Sequence, residues 1–195
     1  MSMLRAFIAI ELPVELQKAI SRSIGQLQKA AGKSGVRWVA AENIHLTLKF
    51  LGEVSPTNVD LIQQMLSAEA GLHPRFHIEV AQLGAFPNNK RPRVVWLGVE
   101  APPELATLQR GVESAAAKLG YPPEDRPFSP HLTVGRVREN APSTELTALT
   151  AALESLKIGT LGTVQVKALH LFKSDLLPGG AVYTRLFSAP LLHES

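Results

Sequence analysis

The feature that most constrains this chain is that it repeats itself. Ile10-Glu11-Leu12-Pro13-Val14-Glu15-Leu16 returns as Val99-Glu100-Ala101-Pro102-Pro103-Glu104-Leu105, with four identities at an offset of 89. His45-Leu46-Thr47-Leu48 returns as His131-Leu132-Thr133-Val134 at an offset of 86. Two separate matches at nearly one spacing point to an internal duplication. The expected architecture is α+β and bilobal. Duplicated lobes would sit about a pseudo-twofold axis, with antiparallel sheets lining a central cleft and helices outside.

The order of elements fits that expectation. Leu4–Ile10 is a short apolar run that reads as a buried strand. Pro13 suits the first turn of a helix running to about Ala31, which the Gly32–Gly35 segment ends. Val36–Val39 and Ile44–Leu51 read as strands, the second ending at Gly52. Ser55 can cap a helix from Pro56 to about Ala70. Phe76–Leu83 and Val94–Val99 are strand-like, Pro102–Leu119 is helical, and Pro122–Pro130 is a proline-rich loop. His131–Val137 is a strand, and Ser143–Leu156 a helix with Ser143 or Thr144 as cap. Thr163–Phe172 and Ala181–Phe187 close the pattern as a hairpin around Pro178-Gly179-Gly180. At 195 residues, 45% of them hydrophobic, the chain reads as one two-lobed domain over residues 1–195.

Composition removes several classes. There is no cysteine, which excludes disulfides, thiolate metal sites and cysteine nucleophiles. The apolar run Ala6–Ile10 stops at Glu11, too short for a secretory signal, and no run approaches membrane-spanning length. A cytoplasmic protein away from membranes is expected, and a monomer. Twenty Lys and Arg stand against 17 Asp and Glu. Val80–Val99 carries Lys90, Arg91 and Arg93 with no acid, and Ser155–His193 carries four basic residues against Asp175 alone. Such stretches can face a polyanion, although a solvated surface is the simpler reading of charge by itself.

The chemistry lies in the paired motifs. Strand side chains alternate, so His45 and Thr47 share one face while Leu46 and Leu48 point to the core. His131 and Thr133 repeat the pattern, and a twofold axis would bring both faces to one cleft. In-line displacement at phosphorus needs a base on the entering oxygen and an acid on the leaving oxygen. Histidine titrates near neutrality and can do either. Threonine hydroxyls can hold the non-bridging oxygens. With 6 His and 10 Thr in the chain, chance supplies roughly 0.3 His-x-Thr triplets, so one alone carries little weight. Two, at equivalent repeat positions, carry much more. Arg136 lies five residues after His131, on the opposite face of an ideal strand, unless a bulge or Gly135 turns it toward the cleft. Phe50, Phe86, Trp38 and Phe128 flank the motifs and could stack on a base, though each is individually a core candidate. His73 and His77 are four apart, but Pro74 argues against a metal-binding helix face. His170 reads as structural and His193 lies near the end. No cofactor and no metal are expected.

These residues resemble the RNA 2′,3′-cyclic phosphodiesterases, historically called 2′-5′ RNA ligases, of the two-histidine phosphoesterase superfamily. The similarity runs through Arg5–Ile10 with Leu12-Pro13, Arg37-Trp38-Val39, Glu42–Glu53, Phe86-Pro87, Arg93–Trp96, Arg126–Thr133 with Arg136, Lys173-Ser174 and Tyr183. The resemblance implies hydrolysis of RNA 2′,3′-cyclic phosphate ends to 2′-phosphomonoesters. It implies that His45 protonates the leaving 3′ oxygen and His131 activates water. Thr47 and Thr133 would hold phosphoryl oxygens, and Arg136 would assist with phosphate or base. Gly135 stands where a larger apolar residue is expected, which leaves the direction of Arg136 open. Nucleotide binding is also left open. Two other functions compete: ATP-independent 2′-5′ joining of RNA at the same site, and a non-catalytic RNA-binding module.

Overall fold

The computed structural model describes residues 2–32, 34–177 and 180–193. Its strands are β1 Leu4–Glu11, β2 Val36–Trp38, β3 His45–Val54, β4 Phe76–Phe86, β5 Val94–Glu100, β6 His131–Val137, β7 Gly162–Val166, β8 Ala168–Leu177 and β9 Gly180–Pro190. Its α-helices are α1 Val14–Ala31, α2 Val59–Ala70, α3 Pro103–Lys118 and α4 Ser143–Ser155. The strands form one antiparallel sheet in the order β7-β4-β5-β6-β3-β1-β8-β9, with β2 paired to β6. The order is symmetric about its middle: β6 corresponds to β3, β5 to β1, and β4 to β8. The duplication read from sequence is therefore a real pseudo-twofold arrangement.

The two lobes are not separate sheets. They join at β3 and β6, which share a single register pair, Leu46 with Leu132. With so little pairing there the middle strands splay, and β2 continues along β6 where β3 leaves it. The cleft face is open at this seam. The other face is closed by helices. Leu16, Ile20, Ile24 and Leu27 of α1, at helical spacing, and Leu105, Leu108 and Val112 of α3 enter one core with Ile8, Ile10, Leu46, Leu132 and Val134. α1 packs on α4 and α2 on α3, again a twofold exchange.

Most expected elements are present, with instructive differences. The strand expected at Thr163–Phe172 is two strands, because β7 pairs with β4 at one edge whereas β8 pairs with β1 in the other half. The segment after Ser55 opens as a 3₁₀ turn, Pro56–Asn58, with Ser55 Oγ accepting from the Thr57 amide at 3.4 Å. α4 is preceded by Pro142, and neither Ser143 nor Thr144 caps it with a side-chain bond. The expected turn residues Pro178 and Gly179 lie outside the described residues. Among the described residues, no helix is long and apolar enough to cross a membrane.

Candidate active site

Leu46 and Leu132 are both fully buried on the core face, so the residues flanking them point into the cleft. In an antiparallel pair this places His45 beside Thr133 and Thr47 beside His131. The histidines occupy one diagonal of a rectangle and the threonines the other. In a regular antiparallel pair such diagonal neighbours stand about 7–8 Å apart, the scale of one phosphoryl group between two side chains.

Both motif strands break register at the same place. Thr47 pairs with Ala9 and Lys49 with Ile8, which leaves Leu48 as an extra residue in β3. Thr133 pairs with Trp96 and Gly135 with Val95, which leaves Val134 as the extra residue in β6. Leu48 and Val134 are equivalent positions of the repeat. Each bulge shifts the alternation by one. Lys49 therefore turns into the core, 2% exposed, and Phe50 comes up onto the cleft face. By the same shift Gly135 turns inward, where a Cβ would meet Val36 and Trp38. Arg136 then comes up on the face of His131 and Thr133.

The two imidazoles are held alike. His45 Nδ1 lies 2.8 Å from the Asn43 carbonyl, and His131 Nδ1 lies 2.7 Å from the Ser129 carbonyl, two residues back in each case. A carbonyl only accepts, so Nδ1–H donates and Nε2 is left as the proton-accepting atom of the neutral ring. Among the described residues neither threonine hydroxyl has a protein hydrogen bond, so neither motif is satisfied as a closed cross-strand pair. Their surroundings differ. His45 stacks on Phe7 at 4.6 Å, with Tyr183 edge-on at 5.1 Å and Phe172 behind at 6.2 Å. Burial in this aromatic box lowers its pKa to about 4, against the raising effect of the Asn43 carbonyl. Among the described residues the one ring packed against His131 is Phe86, perpendicular to it at 5.0 Å.

The difference follows from the repeat. Trp96 stands at the position of Phe7. The strand neighbour of Phe7 is Phe172, whereas that of Trp96 is Gly84. A Cβ at Gly84 would lie 2.3 Å from the indole, so only glycine lets Trp96 lie flat there. The result is an open recess of about 260 Å³ beside His131, lined by Phe86, Trp96, Gly98 and Glu100 among others. Phe7 and Tyr183 entered the sequence reading only as part of the family resemblance, and Phe172 only as a strand end, with none of them placed beside His45. The offset of 89 that relates Phe7 to Trp96 was the available signal. Trp38 and Phe128, considered as base-stacking groups, pack against the core. Phe50 is 55% exposed. His170 bonds Ser188 Oγ at 2.9 Å, and His73 bonds Glu69 at 2.8 Å. Among the described residues no three His, Asp or Glu gather as a metal-binding set.

The fold and the twin His-x-Thr strands define a class, and comparison with known proteins identifies it. The family described as LigT like Phosphoesterase matches residues 10–96 and again 97–183, one copy per half. This chain belongs to that family. It is 36% identical over 180 residues to the RNA 2′,3′-cyclic phosphodiesterase of Methanothermobacter thermautotrophicus, covering 92% of this chain and 95% of that one. A solved protein of Thermus thermophilus superposes with a TM-score of 0.81 at 28% identity, covering 98% and 100% of the two chains. E. coli LigT complexed with 3′-AMP gives 0.71 at 32% identity, covering 97% and 98%. It has also been solved with ATP.

Proposed function

We propose that this protein opens 2′,3′-cyclic phosphates at RNA ends, acting as a single two-lobed unit. The observation that carries this reading is the twofold-related histidine pair, each ring oriented by a carbonyl two residues back with its Nε2 available. His131 Nε2 takes a proton from water as its oxygen bonds to phosphorus. The bond from phosphorus to the ribose 3′ oxygen breaks in line, and His45 protonates that oxygen. The product is a 2′-phosphomonoester. Thr47 and Thr133 donate to the non-bridging oxygens, and Arg136 supplies positive charge on the same face. Burial keeps His45 neutral before substrate arrives. The anionic phosphate itself favours the imidazolium, because an opposite charge within about 4–6 Å raises a histidine pKa. The acid is therefore charged by its own substrate.

A second reading, 2′-5′ joining, is favoured by the recess beside His131. There the 5′ hydroxyl of a nucleoside could replace water. Incubation with an oligoribonucleotide ending in a cyclic phosphate, with and without a 5′-hydroxyl strand, tests both. Ring opening to a phosphomonoester supports hydrolysis, and a longer product formed only with the second strand supports joining. An untouched cyclic end would overturn the proposal.

A further inference from the structure

Farther along β6 than Thr133 lies a recess of about 490 Å³ lined by Arg37, Arg93, Arg136, Arg138, Val137, Glu139 and Asn140. Arg37 and Arg136 are direct cross-strand partners on β2 and β6. Val94, next to Arg93, pairs with Arg136 from the other side. Like charges set opposite one another weaken a sheet. Among the described residues none of the four guanidiniums forms an ion pair or a side-chain hydrogen bond, although Glu139 lines the same recess. Four uncompensated arginines around one concavity form an anion site, and planar guanidiniums suit phosphate oxygens.

The strand directions say which anion. β6 runs antiparallel to β3, so the end of β6 beyond Thr133 lies on the His45 side of the reacting phosphate. In the proposed reaction His45 stands behind the leaving 3′ oxygen, so the ribose and the RNA attached to it lie on that side. Water enters on the other, past His131. Arg136 is three residues beyond Thr133, with one of them taken up by the bulge, about 7–10 Å along the strand. That is the reach of the next phosphate or two along the chain. We propose that Arg37, Arg93 and Arg138 form a clamp for the phosphodiesters preceding the cyclic end. The protein is then built for oligonucleotide ends rather than for mononucleotide cyclic phosphates. This rests on the cyclic-phosphate reading. A polyphosphate nucleotide carries the same chemistry, so the test separates the two.

The variant is Arg37→Gln/Arg93→Gln, which leaves every proposed catalytic group in place. The substrates are a trinucleotide ending in a 2′,3′-cyclic phosphate and a mononucleoside 2′,3′-cyclic phosphate. The variant should raise KM for the trinucleotide about tenfold or more, with kcat and all mononucleotide kinetics unchanged. Binding of a 2′-phosphate-ended trinucleotide, read by fluorescence anisotropy, should weaken in parallel and does not depend on turnover. Its salt dependence should fall by about 0.7 in log–log slope for each phosphate left without its arginine. Equal losses on both substrates, or unchanged trinucleotide binding, would overturn the clamp. So would relief of ATP competition without any effect on the trinucleotide, which would assign the recess to nucleotide polyphosphates. If wild type opens neither cyclic phosphate but the anisotropy shift holds, the cyclic-phosphate reading fails while the RNA site stands.

Discussion

Removing the charge of Glu113 should destabilise the protein more than removing the lysine it faces. The bulge at Leu48 sends Lys49 into the core directly behind the cleft face. Its ammonium is 2.8 Å from Glu113 of α3, with side chains 1% and 14% exposed, and it also donates to the Pro122 carbonyl. Stranding one member of a buried pair costs about 3–5 kcal/mol. Glu113→Gln strands the more buried charge but keeps an accepting oxygen, so the low end applies, about 3 kcal/mol. Lys49→Met strands a carboxylate that reaches solvent and has Gln109 Nε2 nearby at 3.4 Å. It should cost about 1–2 kcal/mol. Lys49→Met/Glu113→Leu removes both charges and should recover most of the loss, since apolar replacement of a buried pair is often neutral. Urea unfolding provides the assay. With a slope near 2–3 kcal/mol per molar, Glu113→Gln should lower the midpoint by about 1–1.5 M. If Glu113→Gln proves as stable as Lys49→Met, or the double variant as unstable as the worse single one, the assignment of Lys49 to a buried pair is wrong.

His45→Ala and His131→Ala should each lower turnover about 10²–10⁴-fold with folding intact, whereas His170→Ala should not; steady-state kinetics with circular dichroism decides. NMR titration should place His45 near pH 4 in the ligand-free protein and move it upward when inorganic phosphate is added; a fixed midpoint would remove the substrate-charged acid. Its lowered value also links to stability, because the unfolded chain takes up the proton first as pH falls. That contribution is complete above about pH 6.5 and is lost toward pH 4. His170, lowered mainly by burial, acts in the same sense, so His45→Asn should flatten only part of the acid limb of a denaturation series. Activity should survive EDTA; loss restored by a divalent cation would require a metal mechanism.

The duplication was legible because two short motifs kept one spacing, and it carried the pseudo-twofold relation of the two halves and the equivalence of the two His-x-Thr strands. Alternation correctly placed His45 with Thr47 and His131 with Thr133. It failed one residue later, at Leu48 and Val134, because an extra residue in one strand is defined only by the strand that pairs with it. The faces of Lys49, Phe50 and Arg136 were therefore not readable. Nor was the asymmetry between the histidines, which depends on Gly84 and Phe172 occupying equivalent neighbours of Trp96 and Phe7. The continuous sheet was hidden for a similar reason: β3 and β6 join through one register pair, which leaves no pattern in either strand.

The central claim is that two opposed histidines open the ring in one direction. Digesting the product of a cyclic-phosphate-ended oligoribonucleotide with a phosphatase specific for 3′-phosphates, followed by mass analysis, tests it directly. The expected result is a single product that resists the phosphatase, with its phosphate on the 2′ oxygen. A mixture of 2′- and 3′-phosphates would contradict the opposed geometry itself, and a clean 3′-phosphate would leave that geometry standing but mean that the ribose binds flipped, with its 2′ oxygen facing His45.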